Sequence, residues 1–167
     1  MTTSRHRIIM TERFPDVNGT ITETRKTAIG DVSITERDGR ITSLAFGEVC
    51  GSSGSTVLDS AFTQLDEYLN GERESFELAL DPEGTDFQRM VWAALRLIPY
   101  GETASYSEIA RRIGHPNACR AVGNANNRNP IPIFIPCHRV IRSDGDIGGY
   151  ASGQDLKMRL LRIEGIL

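Results

Sequence analysis

A chain of 167 residues, 39% hydrophobic and 25% charged, has room for one domain of ordinary size or two small ones sharing an interface, and is neither disordered nor fibrous. No apolar run reaches the length of a membrane span and the start, Met1 to His6, lacks a signal-peptide core, so a cytoplasmic protein with no membrane partner is expected. The three cysteines, Cys50, Cys119 and Cys137, form no CxxC pair and are odd in number, which argues for reduced thiols; ahead of residue 81 the only histidine or cysteine ligands are His6 and Cys50, so no zinc is expected.

The net charge of -3 conceals an asymmetry. Residues 1–80 hold 8 Lys and Arg against 13 Asp and Glu, whereas residues 81–167 hold 11 against 9. Between 106 and 142 the bases are Arg111, Arg112, Arg120, Arg128, Arg139 and Arg142, with Glu108 the only acid. Such a stretch suits a phosphate backbone, and charge alone fits an ordinary solvated face equally well.

In chain order, 20–27, 30–36 and 40–46 alternate as strands, with Asp38-Gly39 as the hairpin turn between the last two. From Thr56 the apolar period changes to Val57, Leu58, Ala61, Phe62, Leu65, Tyr68 and Leu69, one face of a helix that ends at Asn70-Gly71. Phe76, Leu78 and Leu80 alternate briefly. Nothing in this half reads as a reaction centre, and its acids read as a solvated surface.

Asp81-Pro82-Glu83-Gly84 reads as a linker, dividing the chain into 1–80 and 85–167. Thr85-Asp86-Phe87-Gln88 is a capping box that opens a helix with Phe87, Val91, Ala94, Leu95 and Ile98 inward and Trp92 packing, stopped by Pro99-Tyr100-Gly101. Ser105-Tyr106-Ser107-Glu108 is a second box, opening a short helix that ends at Gly114. A further helix runs from Ala118 to Asn127 with Ala121, Val122 and Ala125 inward. Two short helices about a glycine turn, the second bearing Arg120 and Arg128, outline a helix-turn-helix, an outline that other helical hairpins share. Three prolines within 130–136 forbid a helix and fix the direction of the chain. Val140 to Ile147 reads as a small hairpin, the wing of a winged helix, and Gly148 to Gly153 as a flexible loop ahead of an amphipathic helix over 154–163.

The prolines deliver Pro136-Cys137-His138-Arg139-Val140. A thiol with a pKa near about 8.5 is mostly protonated at neutral pH, so a nucleophilic cysteine needs a base or a positive charge beside it, and His138 and Arg139 are candidates for both. The plain alternative is that Cys137 is a small buried hydrophobe. Adjacent residues of an extended strand point to opposite faces, so Cys137 and His138 cooperate only where the chain turns or a water bridges them.

At Pro136 to Val140 the sequence resembles the O6-alkylguanine-DNA alkyltransferases. The likeness runs through the C-terminal half, about half of the chain: Gly101 to Tyr106, Arg120-Ala121-Val122-Gly123, Asn129-Pro130, Gly148-Gly149-Tyr150 and Glu164-Gly165 follow in the family's order and spacing. Ala151 stands where many relatives carry serine. The resemblance implies an α+β fold: an N-terminal ribonuclease-H-like α/β domain (1–80), a linker (81–84) and a mostly helical winged helix-turn-helix domain (85–167) that enters the DNA minor groove.

It also implies roles. Cys137 is the alkyl acceptor, His138 its base through a water, Glu164 the carboxylate that orients His138, and Asn129 the brace of the site. Arg120 replaces the flipped nucleotide, Tyr106 pushes on the flanking phosphate and faces the base, and the backbone about Cys137, Val140, Tyr150 and Ala151 holds the guanine, with Arg128 on DNA. The implied reaction is one irreversible transfer from O6-alkylguanine in duplex DNA to Cys137, without cofactor or metal and without strand cleavage, by a protein monomeric in solution. O4-alkylthymine, alkyl-group size and cooperative assembly on DNA stay open, as do the roles of Cys50, Cys119 and the N-terminal half. Two other readings stand beside it: a sensor that binds damaged guanine without repairing it, whose relatives lack the acceptor cysteine, and a helix-turn-helix regulator with a redox thiol, which leaves Asn129, Tyr106 and Glu164 unexplained.

Overall fold

The structure, a computed structural model, describes residues 19–48 and 54–167; His6 and Cys50 lie outside the described residues. Strands β1 (Thr20–Thr27), β2 (Gly30–Arg37) and β3 (Arg40–Phe46) form an antiparallel sheet in that order. Asp38 and Gly39 both take positive φ, 53° and 78°, the conformation of a tight two-residue hairpin whose twist matches the strands it joins. Val32, Ile34, Ile41 and Leu44 leave one face of the sheet and are buried against helix α1 (Thr56–Leu69). Ser55 does two things at the start of that helix. Its hydroxyl accepts from the Leu58 N–H, capping the first turn, and donates to the buried Glu36 of β2 at 2.9 Å.

The alternating stretch at Phe76 to Leu80 forms a single parallel bridge, Leu80 with Ile41, rather than a strand; the Ile41 N–H donates to Ala79 and its carbonyl accepts from Asp81. β3 also donates from Leu44 N–H to the Pro130 carbonyl at 2.9 Å, so the sheet is bonded directly to the segment that carries Cys137. A single apolar core runs from Val32 and Ile34 through α1 to Trp92, Ile109, Val122 and Leu160.

The C-terminal half is mostly helical: α2 (Asp86–Leu95), β4 (Ala104–Ser105), α3 (Tyr106–Arg112), α4 (Cys119–Asn127), β5 (Val140–Ile141) and α5 (Gln154–Ile163). Both expected capping boxes are formed, Thr85 with Gln88 and Ser105 with Glu108, which fixes the starts of α2 and α3. α3 and α4 pack on each other and on α2, joined by a turn in which Gly114 takes φ 77°. Trp92 is indeed packing: it is buried, and its indole N–H donates to the Ala125 carbonyl at 2.8 Å. The fold is of the expected α+β class.

Two local expectations change. Ala121 is exposed; Val122, Ala125 and Asn126, spaced i, i+3 and i+4, form the buried face of α4, and Ala121 lies off that stripe. The hairpin expected after Val140 is only a turn, closed by Arg142 N–H on the Asp146 carbonyl, and β5 pairs instead in parallel with β4 through Val140 and Ser105's neighbour Ala104. Among the described residues no helix is long and apolar enough to cross a membrane.

Candidate active site

The segment before Cys137 is an apolar loop pinned at both ends by one amide. Asn129 Nδ2 donates to the Ile135 carbonyl at 2.8 Å and its Oδ1 accepts from the Ile131 N–H at 3.0 Å. At the apex Ile133 takes φ 73°, a conformation a β-branched residue rarely adopts and that costs on the order of 1–3 kcal/mol. Asn129 and the buried flanks, Ile131, Phe134 and Ile135, hold it there. The chain then enters a single 3₁₀ turn over Cys137–Arg139, which answers the strand-face problem: the backbone turns at the thiol.

His138 and Glu164 are fully buried and joined by a 2.6 Å hydrogen bond from Nε2 to Oε1. Glu164 sits at the C-terminal end of α5 and also accepts from Arg139, from Tyr68 Oη at 2.7 Å and from the Gly101 N–H at 3.1 Å. Burial works against its charge, but the donors from His138, Arg139 and Tyr68 outweigh it and hold the carboxyl down to about 2. Burial pushes His138 the other way, below its ordinary value, so the imidazole is neutral near pH 7. With a carboxylate against Nε2, that nitrogen carries the proton. Nδ1 is then a bare lone pair, buried and with no partner among the described residues.

Cys137 is buried beside a cavity of ≈ 30 Å³ lined also by Asn126, Asn127, Asn129, Pro132, Tyr150, Ala151 and Ser152. Its Sγ lies 3.7 Å from Tyr150 Oη. Burial pushes the thiol up, while hydrogen bonds from Asn129 and Tyr150 and the charge of Lys157 pull it back. Lys157 is itself fully buried on α5, donating to the Val140 carbonyl at 2.7 Å, and burial lowers its pKa to about 8. The site therefore holds a resting thiol with a cationic neighbour and a base lone pair available.

The structure brings together Cys137, Asn129, Tyr150 and Ala151 at the cavity, and His138 with Glu164 behind it. Tyr106 opens α3 half-buried, its hydroxyl near Gly148. Val140 is buried with its carbonyl already bonded to Lys157. Arg120 and Arg128 do not join the cluster; both are exposed, on α4 and at its end. Arg139 is a correction. It was a candidate charge for the thiol and for the basic face, yet it is buried, its guanidinium spent on Glu164 and on the Ile98 carbonyl at 2.6 Å. Among the described residues no group of three or more His, Cys, Asp or Glu could hold a metal.

Sequence reasoning missed Tyr68, Lys157 and Asn126. Tyr68 is also a correction to the reading of the N-terminal half as chemically silent, since it enters the His138–Glu164 cluster from α1. Lys157 had one available signal: it lies on the buried face of α5, level with Leu160 and Leu161.

Comparison with known proteins matches both halves. The sequence model of the family described as 6-O-methylguanine DNA methyltransferase, DNA binding domain, covers residues 86–166, and that of its ribonuclease-like domain covers residues 21–82. The methylated-DNA–protein-cysteine methyltransferase of Methanosarcina barkeri is 64% identical over 104 residues, a stretch covering 62% of this chain and 66% of that relative. The constitutive one of Bacillus subtilis is 43% identical over 155 residues, covering 86% of this chain and 94% of the relative. The crystal structure of Mycobacterium tuberculosis OGT in complex with DNA superposes with a TM-score of 0.79 at 42% identity, covering 86% of this chain and 92% of that one. Matched in both halves by the family's two models, and along most of its length by a whole relative, the chain belongs to the 6-O-methylguanine DNA methyltransferase family.

Proposed function

We propose that this protein repairs DNA by moving an alkyl group from O6-alkylguanine in duplex DNA onto its own Cys137. The observation that carries the reading is the state of His138. Its Nε2 is fixed on Glu164 at 2.6 Å while its Nδ1 is buried and without a partner among the described residues, a base waiting for a proton beside a buried cysteine. A water between Nδ1 and Sγ relays the thiol proton to His138. The thiolate attacks the alkyl carbon, the S–C bond forms as the C–O6 bond breaks, and the electron pair leaves with guanine, which takes up a proton at N1. The thioether has no leaving group for water to displace, so each molecule acts once. No cofactor or metal takes part.

The target oxygen lies inside the duplex, so the nucleotide must swing out, which costs a few kcal/mol and less for a damaged pair. Arg120, exposed on α4, fills the gap; Arg128 takes a phosphate, and Tyr106 bears on the flanking phosphate and faces the base, with the backbone about Val140 and Ala151 holding the guanine. The ≈ 30 Å³ cavity at Cys137 has room for about one or two waters and none for a purine, so the loop over 148–153 opens on entry. The division at 81–84, the monomeric state and a cytoplasmic place, where thiols stay reduced, belong to the same reading.

The experiment is to incubate the protein with duplex DNA containing O6-methylguanine and map the modified peptide by mass spectrometry. One methyl per molecule, on Cys137, is expected, and Cys137→Ser should abolish transfer while keeping DNA affinity. Binding without modification of Cys137 would leave a damage sensor in place of a repair protein.

A further inference from the structure

A second cavity, of ≈ 230 Å³, lies behind the thiol and shares no lining residue with the one at Cys137. The segment 129–139 is a wall between them. Asn129, Pro132 and Cys137 border the cavity of the thiol, whereas Ile133, Phe134, Pro136 and Arg139 border the rear one and, being buried, form its floor. The mechanism uses the front of this wall and leaves the rear without a role.

The sides of the rear cavity are aromatic and fixed. Phe76 meets Phe134 edge to face with ring centroids 4.8 Å apart, and the Tyr100 hydroxyl donates to the Ile163 carbonyl at 2.9 Å, which holds that ring in place. The alternation at Phe76, Leu78 and Leu80 has its use here: all three line the cavity and stay half-buried. Its mouth is charged. Glu74 and Arg96 are both exposed there, and among the described residues neither has an ion pair or a side-chain hydrogen bond. The Tyr100 phenol is raised first by burial and then by the charges of Glu164 and Glu74, so the Glu74 carboxylate lies close enough to act on that ring. An apolar cavity of about 150 Å³ holds one benzene ring, so ≈ 230 Å³ has room for a ring and a short polar chain.

We propose that the rear cavity is a binding site for a small aromatic zwitterion, with its ring against Phe76, Phe134 and Tyr100, its carboxylate on Arg96 and its ammonium on Glu74. The two charges of the mouth select the class. An aromatic acid satisfies Arg96 and brings a like charge to Glu74; an aromatic amine does the reverse; a ligand carrying both signs meets both. The bound ring touches the back of the segment that carries Cys137, through Phe134. The site is independent of the alkyl-transfer reading, which uses the other side of the wall.

The test is an amide NMR titration of the full chain with L-phenylalanine as the probe, set against phenylacetate, phenethylamine and L-alanine. Phenylalanine should bind saturably, moving the amides of 74–80, 96–100 and 133–139, and at least about threefold more tightly than phenylacetate or phenethylamine, each of which lacks one charge contact at a partly exposed mouth. L-Alanine, without a ring, should not bind. Arg96→Met should hold phenylalanine no better than the wild type holds phenethylamine, and Glu74→Gln no better than the wild type holds phenylacetate. Both positions are exposed, and the same spectra show that each variant is folded. Absence of saturation by about 20 mM overturns the proposal, since that is weaker than any specific site of this size. Equal affinity for phenylalanine and its singly charged analogues, or binding unchanged in either variant, overturns it by leaving an unselective apolar crevice. Shifts confined to Asn126, Tyr150 and Ala151 overturn it by placing the probe in the cavity of the thiol.

Discussion

Tyr68 donates to Glu164 at 2.7 Å across 96 residues of chain, and its oxygen lies 3.2 Å from His138 Nε2. The phenol is fully buried and its pKa is pushed far above the ordinary value, first by burial and then by the Glu164 charge, so it remains a donor at every working pH. Its donation is spent on the same oxygen that holds the imidazole, which moderates the pull of the carboxylate on His138. Removing the hydroxyl in Tyr68→Phe keeps the ring that packs on Phe76 and Tyr100. The His138 pKa should then rise, because the carboxylate that meets Nε2 has lost a competing donor. An NMR titration of the His138 ring measures this; an unchanged pKa with only a lower melting temperature would make Tyr68 a packing residue.

Glu164→Gln leaves Arg139 as a buried charge with no counter-charge, met by neutral groups such as the Ile98 carbonyl and the Tyr100 ring. A loss of about 3–5 kcal/mol of stability is expected, measured by urea denaturation, with part regained in the double variant Glu164→Gln/Arg139→Met, where no charge remains to be satisfied. The acid limb should change as well. The Glu164 pKa is depressed in the folded state, to about 2 from 4.5, so its contribution is present above pH 4.5 and is lost as pH falls toward 2. The Gln variant should lack that part of the slope; equal slopes would show that acid unfolding starts elsewhere.

The elements were legible in the sequence because each rests on local chemistry. The two capping boxes start α2 and α3, Asp38-Gly39 turns the hairpin, and the 3.6-residue period of α1 gives its buried face. That same period hid Tyr68, since it says which face is buried and not which group meets it from 96 positions away. Arg139 was misread for a related reason. Its place two residues after Cys137 points to the thiol, but the 3₁₀ turn sends it to the end of α5. The partner of His138 came from resemblance to a family, and no spacing rule links 138 to 164. The wing does not form as a hairpin because Val140 and Ile141 pair with β4 and not with the stretch at Ile147.

Gly84 is read as part of a linker, yet a Cβ there would lie 2.5 Å from Trp92 Cη2, within a buried ring whose N–H is committed to Ala125. The ring cannot step aside without breaking that bond, so Gly84→Ala should cost about 1–3 kcal/mol, as overpacking does. Differential scanning calorimetry of the variant tests it. A neutral result would mean that the 81–84 segment moves away from Trp92 freely, as a flexible linker would.

Lys157 combines full burial with a cationic head near the thiol, and its pKa of about 8 lies below the ordinary 10.5. The unfolded chain therefore binds this proton more tightly than the folded one, and stability should rise as pH climbs from 8 toward 10.5. Cys137 opposes this, because burial raises its pKa and an unfolded thiol ionises first as pH rises through about 9. A Cys137→Ser background removes the opposing group. Against Cys137→Ser/Lys157→Met, the Cys137→Ser protein should gain on the order of 2 kcal/mol between pH 8 and 10, read from urea midpoints. In the cysteine-containing protein Lys157→Met should slow alkylation of Cys137 by iodoacetamide at pH 7, because the thiolate loses the cation whose charge pulls its pKa down. A flat stability difference together with an unchanged alkylation rate would show that Lys157 serves only to hold Val140 and Gly149 through their carbonyls.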